Sequence, residues 1–239
     1  MGFQSVSRTH VGCRRTVNED AVLCRPDLGL WAVADGMGGH HAGAMASALV
    51  VEMLAGCDPQ ADLGARTDMA RRTIIEANRR LVALGRESSP SRTIGTTVVA
   101  IAADAAAFTC LWAGDSRAYL CRGRSLVQLT RDHSLVQALV DAGELAPGEA
   151  ADHPDSNLVT RAVGAAPELK IDAVTGKIGD RDTLLLASDG LTRLVDQDEL
   201  LAGLIASDLS ATADDFMALC LARGAPDNVS LVIVRAVAG

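Results

Sequence analysis

Short apolar runs separated by polar turns recur along this chain, and they predict many strands. Residues 30–34 (Leu-Trp-Ala-Val-Ala) form a run typical of a strand that is covered on both faces. Comparable runs occupy residues 3–11, 21–24, 93–102, 108–113, 117–121, 125–129, 171–175, 183–187 and 229–234. The turns that join the four runs between residues 93 and 129 are short, which predicts that these strands are antiparallel neighbours in one meander.

Apolar residues at helical spacing predict the helices. The spacing in residues 42–55 and 62–84 gives each segment one apolar face. Shorter helices are predicted at residues 134–142, 198–206 and 213–222. The first of these lies in a long stretch with few strand signals, residues 130–164, which we interpret as a functional flap inserted between strands.

Antiparallel strands with helices inserted in pairs predict an α+β fold, in which stacked sheets are covered by helices. We find no internal repeat, linker or low-complexity segment in the sequence. Residues 1–239 are therefore interpreted as a single domain, with the 130–164 flap as part of it.

Composition narrows the classes of protein that remain. The chain has 239 residues, of which 49% are hydrophobic and only 3% aromatic, so its core must consist largely of Ala, Val and Leu. A formal net charge of −8 argues against a nucleic-acid partner, which would require a basic face. The sequence has no signal-peptide pattern, no apolar run long enough for a membrane span and no CxxC spacing, so we expect a cytoplasmic protein without a membrane partner.

Acidic residues stand at the ends of five predicted strands. A single Asp35-Gly36 at the end of a strand would be interpreted as turn capping, but the arrangement recurs. The acids are Asp20, preceded by Glu19, and Asp35, Asp115, Asp189 and Asp227. Gathered carboxylates repel one another unless they are neutralised, and oxygen ligands suit hard divalent ions such as Mg²⁺ and Mn²⁺. The pattern therefore favours an all-oxygen, multi-metal centre.

The order of these motifs resembles that of a known family. They are Asn18-Glu19-Asp20, Asp35-Gly36-Met37-Gly38-Gly39-His40, Gly95-Thr96-Thr97, Gly114-Asp115-Ser116-Arg117, Ser188-Asp189-Gly190-Leu191 and Asp227-Asn228. In this order they resemble the metal-dependent type 2C protein Ser/Thr phosphatases, and the bacterial branch most closely. The resemblance extends from Val11 to Val234, and it implies a four-layer sandwich of two antiparallel sheets flanked by helices.

The resemblance also implies a centre with two Mn or Mg ions. Asp35 would bridge the two ions, and the Gly36 carbonyl would bind one of them. Asp189 and Asp227 would complete the shell of the first ion. A water that bridges the ions would then attack the phosphorus, with no protein nucleophile.

Further positions match more distant parts of that centre. Glu19 and Asp20 would hold waters bound to the second ion. Asp115, together with Asp189, matches the position that binds a third, looser metal in bacterial members. Asn228 would support the Asp227 side of the site.

Two positions concern the substrate. Arg15 matches the family arginine that binds the substrate phosphate, and its guanidinium suits two phosphate oxygens; Arg14 is expected to face solvent, although the reverse assignment stays open. Animal members carry a histidine directly after Asp-Gly, as an acid for the leaving oxygen, whereas this chain has Met37. His40 either takes that catalytic role or stabilises the glycine turn.

The sequence thus predicts a protein Ser/Thr phosphatase that acts on phosphoserine and phosphothreonine in proteins. The family resemblance implies a cognate bacterial Ser/Thr kinase as its counterpart, and we expect a monomer. One alternative is a pseudophosphatase that binds phosphorylated partners without hydrolysing them. Another is a two-metal nuclease, which the net charge of −8 disfavours.

Overall fold

The computed structural model describes residues 2–38, 41–88, 93–150 and 152–238, over which the chain forms eleven strands and six α-helices. The strands are β1 (Gly2–His10), β2 (Asp20–Arg25), β3 (Leu30–Met37), β4 (Gly95–Thr96), β5 (Val98–Ala103), β6 (Ala107–Ala113), β7 (Arg117–Arg122), β8 (Ser125–Gln128), β9 (Asp172–Lys177), β10 (Thr183–Ala187) and β11 (Val229–Val237). The helices are α1 (Ala42–Ala55), α2 (Leu63–Glu87), α3 (Leu135–Ala142), α4 (Asp189–Thr192), α5 (Gln197–Leu204) and α6 (Leu209–Ala222).

The strands form two antiparallel sheets. One has the order β1-β11-β10-β7-β8; the other has the order β2-β3-β5-β6-β9, with β4 paired to β3. Side chains that alternate along a strand point to opposite faces. In β3, Trp31 and Val33 pack between the two sheets, while Leu30 and Ala32 pack in the cluster formed with α1 and α2. A separate cluster joins the other sheet to α4, α5 and α6.

These clusters give four layers, helix on sheet on sheet on helix, which confirms the expected α+β sandwich. The predicted helix at residues 42–55 and the predicted strand at 183–187 have the observed bounds. Most other strand predictions differ from the observed strands by at most three residues at either end, but Thr97 divides the run at 93–102 into β4 and β5. The four-residue helix α4 was not predicted, since it is shorter than one amphipathic repeat.

The predicted meander between residues 93 and 129 is wrong. β6 pairs with β5 and β9, whereas β7 pairs with β10 and β8 in the other sheet. The chain changes sheets at Gly114-Asp115-Ser116, where Gly114 has a φ of +126°. Such a conformation suits glycine, and a Cβ there would lie 2.5 Å from Cβ of Thr97. The crossover leaves Asp115 between the ends of the two sheets.

The prediction that the central strand stops before Asp35 is also wrong. β3 continues to Met37, because Gly36 and Met37 pair with Thr96 and Gly95 of β4. Asp35 is therefore a strand residue, and its register partner in β2 is Asp20. Directly opposed residues on adjacent strands have Cβ atoms about 5 Å apart, so the sheet itself holds these two carboxylates together.

The 130–164 flap pairs within itself and, near its end, with the sandwich. Ser134 caps α3 by accepting a hydrogen bond from the Gln137 amide, and it also bridges to Val159 within the flap. Near the end of the flap, Val163 pairs with Thr96. Among the described helices, none combines the length and the hydropathy needed to span a bilayer.

Candidate metal centre

The predicted acids converge at one end of the sandwich. Asp35, Asp115 and Asp189 line one cavity of about 270 Å³ together with residues of the flap. Asp20 opposes Asp35 across the β2–β3 pair. Asp227 precedes β11, and its charge acts on Asp20, Asp35 and Asp189. Five chain segments that are distant in sequence thus place their carboxyl groups within electrostatic reach of one another.

Glycines permit the close approach of the backbone around Glu19. A Cβ on Gly36 would lie 2.2 Å from the Gly43 carbonyl oxygen, and one on Gly43 would lie 2.5 Å from Oε1 of Glu19. The Gly36 amide and the Ser47 hydroxyl both donate hydrogen bonds to the Glu19 carbonyl, at 3.0 and 2.5 Å. Helix α1 therefore starts directly against the acidic end of β3, where a side chain at either glycine would separate them.

The Thr96-Thr97 pair holds the backbone of Asp35. The Asp35 amide donates to the Thr97 hydroxyl at 3.1 Å, and the Thr97 amide donates to the Asp35 carbonyl at 2.8 Å. The Thr96 hydroxyl donates to the same carbonyl at 2.9 Å, and the Thr97 and Ser116 hydroxyls are 2.7 Å apart. Thr96 and Thr97 thus hold the Asp35 backbone, and Thr97 also contacts Ser116, which follows Asp115 in the sheet crossover.

Burial and mutual repulsion raise the pKa of four acids of the centre. Burial raises the pKa of Asp35 well above its usual range, and the charges of Asp20 and Asp189 raise it further. Burial likewise raises the pKa of Asp20 and of Asp115 to about 7. The pKa of Asp189 is raised by burial, against the opposing charge of Arg193. Carboxyl groups in this condition favour a bound cation, which would restore their ionised form.

Two carboxylate oxygens in this region are buried and have no hydrogen-bond partner among the described residues. They are Oε1 of Glu19 and Oδ1 of Asp20. An orphaned buried oxygen is costly, because it has lost its water without gaining a donor. Both oxygens are the hard ligands that Mg²⁺ and Mn²⁺ prefer, directly or through water. The residues therefore fit a divalent cation.

Arginines neutralise two of the carboxylates. Nη2 of Arg15 lies 2.8 Å from Oδ2 of Asp227, and Nε of Arg193 lies 3.0 Å from Oδ2 of Asp189. Across residues 2–38, 41–88, 93–150 and 152–238, no three His, Cys, Asp or Glu side chains form a closed ligand set for one ion. The fit to a cation consequently rests on the orphaned oxygens and the chemistry of the donors.

Comparison with known proteins decides the family. The model of the protein phosphatase 2C family matches residues 13–223. The chain belongs to the protein phosphatase 2C family. It is 38% identical over 236 residues to the serine/threonine protein phosphatase PstP of Mycobacterium tuberculosis, a match that covers 97% of this chain and 44% of PstP. It is 37% identical over 237 residues to the protein phosphatase PhpP of Streptococcus pneumoniae, covering 95% and 94% of the two chains.

Two solved structures share the whole fold of this chain. PppA, described as a key regulatory component of T6SS in Pseudomonas aeruginosa, superposes with a TM-score of 0.92 at 41% identity, over 99% of this chain and 98% of that one. The catalytic domain of PstP in complex with two manganese ions superposes with a TM-score of 0.87 at 34% identity, over 99% of each chain. The resemblance to the bacterial branch is confirmed, and the relatives PstP and PhpP are named protein phosphatases. The chain spans less than half the length of PstP.

Of the two neighbouring arginines in this phosphatase 2C chain, Arg15 is the one directed at the acids. Besides its ion pair with Asp227, it feels the charges of Glu19 and Asp35, and its side chain is 52% exposed. Arg14 is exposed, and within the described residues no ion pair is formed by it. A half-exposed guanidinium at the rim of the acidic centre is accessible to a phosphate group.

Asn228 joins two loops of the centre. Its Oδ1 accepts a hydrogen bond of 2.8 Å from the Glu19 amide. Its Nδ2 donates to the carbonyl oxygens of Val11 and Val17, at 2.9 and 3.0 Å. The side chain thus fixes the segment that carries Arg15 and Glu19 against the loop of Asp227.

The histidine named as a candidate acid, His40, lies outside the described residues. Met37, which occupies the position after Asp-Gly, lines the acidic cavity. Another histidine, His133, contacts the crossover that carries Asp115. Nδ1 of His133 accepts a hydrogen bond of 3.0 Å from the Gly114 amide, and Nε2 lies 3.1 Å from Oδ2 of Asp172.

Sequence reasoning also missed two residues that contact the acids. The Ser188 hydroxyl donates a hydrogen bond of 2.9 Å to Oδ2 of Asp20. Arg193 forms the ion pair with Asp189 already described. Ser188 had a detectable signal, since it is a polar residue directly before Asp-Gly at the end of an apolar strand, whereas Arg193 belongs to no motif.

Proposed function

We propose that this chain hydrolyses phosphoserine and phosphothreonine in proteins with the help of two Mn or Mg ions. The observation that carries the proposal is the group of buried carboxyl groups with raised pKa and two orphaned oxygens. When bound, the ions would activate water for attack on phosphorus and neutralise the charge of the phosphate.

The proposed ligands follow from the positions of the acids. Asp35 and the Gly36 carbonyl, with Asp189 and Asp227, would hold the ions directly. The orphaned oxygens of Glu19 and Asp20 suit contacts through water, because Mg²⁺ retains several waters in proteins.

One further ion is proposed beside these. Asp115 and Asp189 line the same cavity and would hold a third, looser ion there.

Other residues of the chain would handle the substrate. The Arg15 guanidinium would exchange its contact with Asp227 for two phosphate oxygens, for which its planar fork is suited. Asn228 would keep Arg15 and Glu19 in register with Asp227 through its three hydrogen bonds. We propose His40 as the general acid that protonates the leaving oxygen.

The biological setting is proposed from the relatives and from the charge of the chain. Relatives named serine/threonine phosphatases support phosphorylated proteins as substrates, and they make a cognate Ser/Thr kinase the natural counterpart. A net charge of −8 disfavours nucleic acid as a substrate. We propose a cytoplasmic monomer with a single catalytic domain in which the 130–164 flap shapes substrate choice.

A second candidate is a pseudophosphatase that recognises phosphorylated partners. The observation that favours it is the pair of arginines on Asp189 and Asp227, which already supply positive charge to two proposed ligands. In such a protein Arg15 would bind phosphate without hydrolysis.

Phosphate release from three substrates, measured with Mn²⁺ and with a chelator, separates these functions. A phosphothreonine peptide, a phosphoserine peptide and a phosphodiester are incubated with the full chain. We expect phosphate release from both peptides only when Mn²⁺ is present, and little release from the diester. Binding of the peptides without release would establish the pseudophosphatase, and preference for the diester would establish a nuclease.

A further inference from the structure

The side chain of Arg193 joins the acidic centre to the flap. Its Nε contacts Oδ2 of Asp189 at 3.0 Å. Its Nη2 donates a hydrogen bond of 3.1 Å to the carbonyl oxygen of Ser156, and its Nη1 donates to Oδ1 of Asn157. One guanidinium therefore contacts a proposed metal ligand and two consecutive flap residues.

The part of the flap that Arg193 contacts has few other attachments. Within residues 152–157, the Ser156 amide donates to the His153 carbonyl, and the Asp155 amide donates to Nδ1 of His153. In the part of the chain that the structure describes, the hydrogen bonds that join residues 152–157 to anything outside the 130–164 flap come from Arg193. Arg193 is thus the polar attachment of this segment to the catalytic end of the sandwich.

A cation and Arg193 compete for the same carboxylate. The proposed third ion would bind Asp115 and Asp189, and the charge of Arg193 already acts on both of these acids. A guanidinium at 3.0 Å from Asp189 would be a like charge next to a divalent ion, which is strongly unfavourable at that range. Binding of the ion would therefore weaken the contact of Arg193 with Asp189.

We propose that Arg193 is a positioning residue that latches flap residues 152–157 to Asp189, and that a divalent cation at Asp115 and Asp189 releases them. The inference rests on the proposed function, because it requires a cation at these two carboxylates. Since coupling is reciprocal, the latch also lowers the affinity for that cation. The cleft of about 440 Å³ beside the centre, lined by Asp115, Arg193 and Ser156, is where release would widen access for a phosphoprotein.

Hydrogen exchange and calorimetry on the full chain test both halves of this proposal. Exchange of the amides at 152–158 is measured with a chelator and across a Mn²⁺ titration, for wild type, Arg193→Ala and Arg193→Lys. Arg131→Ala is the matched control, because Arg131 pairs with Asp141, at the other end of the flap. Calorimetry on the same proteins gives the affinity of the weakest Mn²⁺ site.

The expected results differ for each protein. Without metal, residues 152–158 should exchange about tenfold faster in Arg193→Ala than in wild type, and Arg193→Lys should lie between them because it lacks the fork. Mn²⁺ should speed exchange in wild type and leave Arg193→Ala unchanged. The weakest Mn²⁺ site should bind about tenfold more tightly in Arg193→Ala, whereas Arg131→Ala should follow wild type.

Three results would overturn the proposal. Equal exchange of residues 152–158 in metal-free wild type and Arg193→Ala would show that Arg193 does not hold this segment. Equal Mn²⁺ affinity in the two proteins would show that Arg193 does not compete with the ion for Asp189. A wild-type chain that binds no Mn²⁺ would overturn the proposed function and the release step together. If only the proposal about Arg193 is wrong, wild type should still bind Mn²⁺.

Discussion

Ser188 and Asp20, which are distant in sequence, share a hydrogen bond of 2.9 Å from the serine hydroxyl to Oδ2 of the carboxylate. The same hydroxyl accepts a hydrogen bond of 3.0 Å from the Ser230 amide, so its orientation is fixed from the neighbouring strand. Oδ1 of Asp20 is buried, and no described residue gives it a hydrogen bond. The serine therefore decides which oxygen of Asp20 is left for a cation or its water.

Substitution Ser188→Ala should weaken Mn²⁺ binding. It removes the donor that orients Asp20, and loss of such outer partners commonly lowers metal affinity by about 10- to 100-fold. Calorimetric titration of wild type and variant measures the change. The control is Thr109→Val, since Thr109 is a buried hydroxyl that pairs with Thr175 at 3.1 Å on β6 and β9. Equal Mn²⁺ affinity in Ser188→Ala and wild type would contradict the role given to Ser188.

Stability of the metal-free protein should fall as pH rises. The pKa of Asp20 and of Asp115 is raised to about 7 in the folded chain, against about 3.9 when unfolded. Between these values the native state binds more protons than the unfolded state, so the free energy of unfolding declines with pH, by at most about 1.4 kcal/mol per unit for each group. Urea denaturation in chelator, from about pH 5 to pH 7, measures this slope.

Two comparisons sharpen that measurement. Asp20→Asn should have a flatter pH profile than wild type, because one of the raised carboxyl groups is gone. Saturating Mn²⁺ should stabilise wild type more at the upper end of the range than at the lower end, since the ion favours the charged carboxylates. A metal-free profile in which Asp20→Asn and wild type run parallel would show that Asp20 does not hold the extra proton.

His133→Phe should destabilise the crossover that carries Asp115. The ring would keep its stack on Trp112, now 6.1 Å between centroids, but the Gly114 amide would lose its acceptor at a cost of about 1–3 kcal/mol. Burial lowers the pKa of His133, so its contribution to stability is present above the ordinary value of about 6.5 and is lost as pH falls through the lower folded value. Denaturation curves at several pH values should show this acid-dependent loss in wild type and not in the variant. His153→Phe, in the flap, should behave as wild type.

Arg15→Lys and Arg14→Lys should have unequal effects on the hydrolysis of an aryl phosphate. Lys keeps the charge at position 15 but not the fork, and loss of one charge-assisted hydrogen bond corresponds to roughly 10- to 100-fold in kcat/KM. Arg14→Lys should leave kcat/KM near wild type, because Arg14 is exposed and makes no ion pair within the described residues. Larger losses in Arg14→Lys than in Arg15→Lys would reverse the assignment.

Periodicity predicted the elements of this fold better than it predicted their partners. Helix α1 and strand β10 have the predicted bounds, since each is an apolar pattern with a clear stop signal at its end. The crossover at Gly114-Asp115-Ser116 was predicted as a turn within one sheet. A short polar turn gives no indication of which sheet the next strand joins when both strands are buried on both faces.

In the candidate site, too, the sequence predicted individual residues better than it predicted their partners. The acids that precede or follow strands were found because each interrupts an apolar run. The contacts of Ser188 and His133 were missed, because their partners Asp20 and Gly114 lie in distant segments. Arg193 lies four residues after Asp189, a spacing that allows an ion pair on a helix, but it belongs to no motif.

The carboxylates at this end of the sandwich should hold the ions needed for phosphate hydrolysis. The most direct test is aryl-phosphate hydrolysis across a Mn²⁺ titration, for wild type, Asp189→Asn and the exposed control Asp180→Asn. We expect activity in wild type and Asp180→Asn only with Mn²⁺, and a loss of at least about a hundredfold in Asp189→Asn. Hydrolysis that persists in chelator, or full activity in Asp189→Asn, would contradict this expectation.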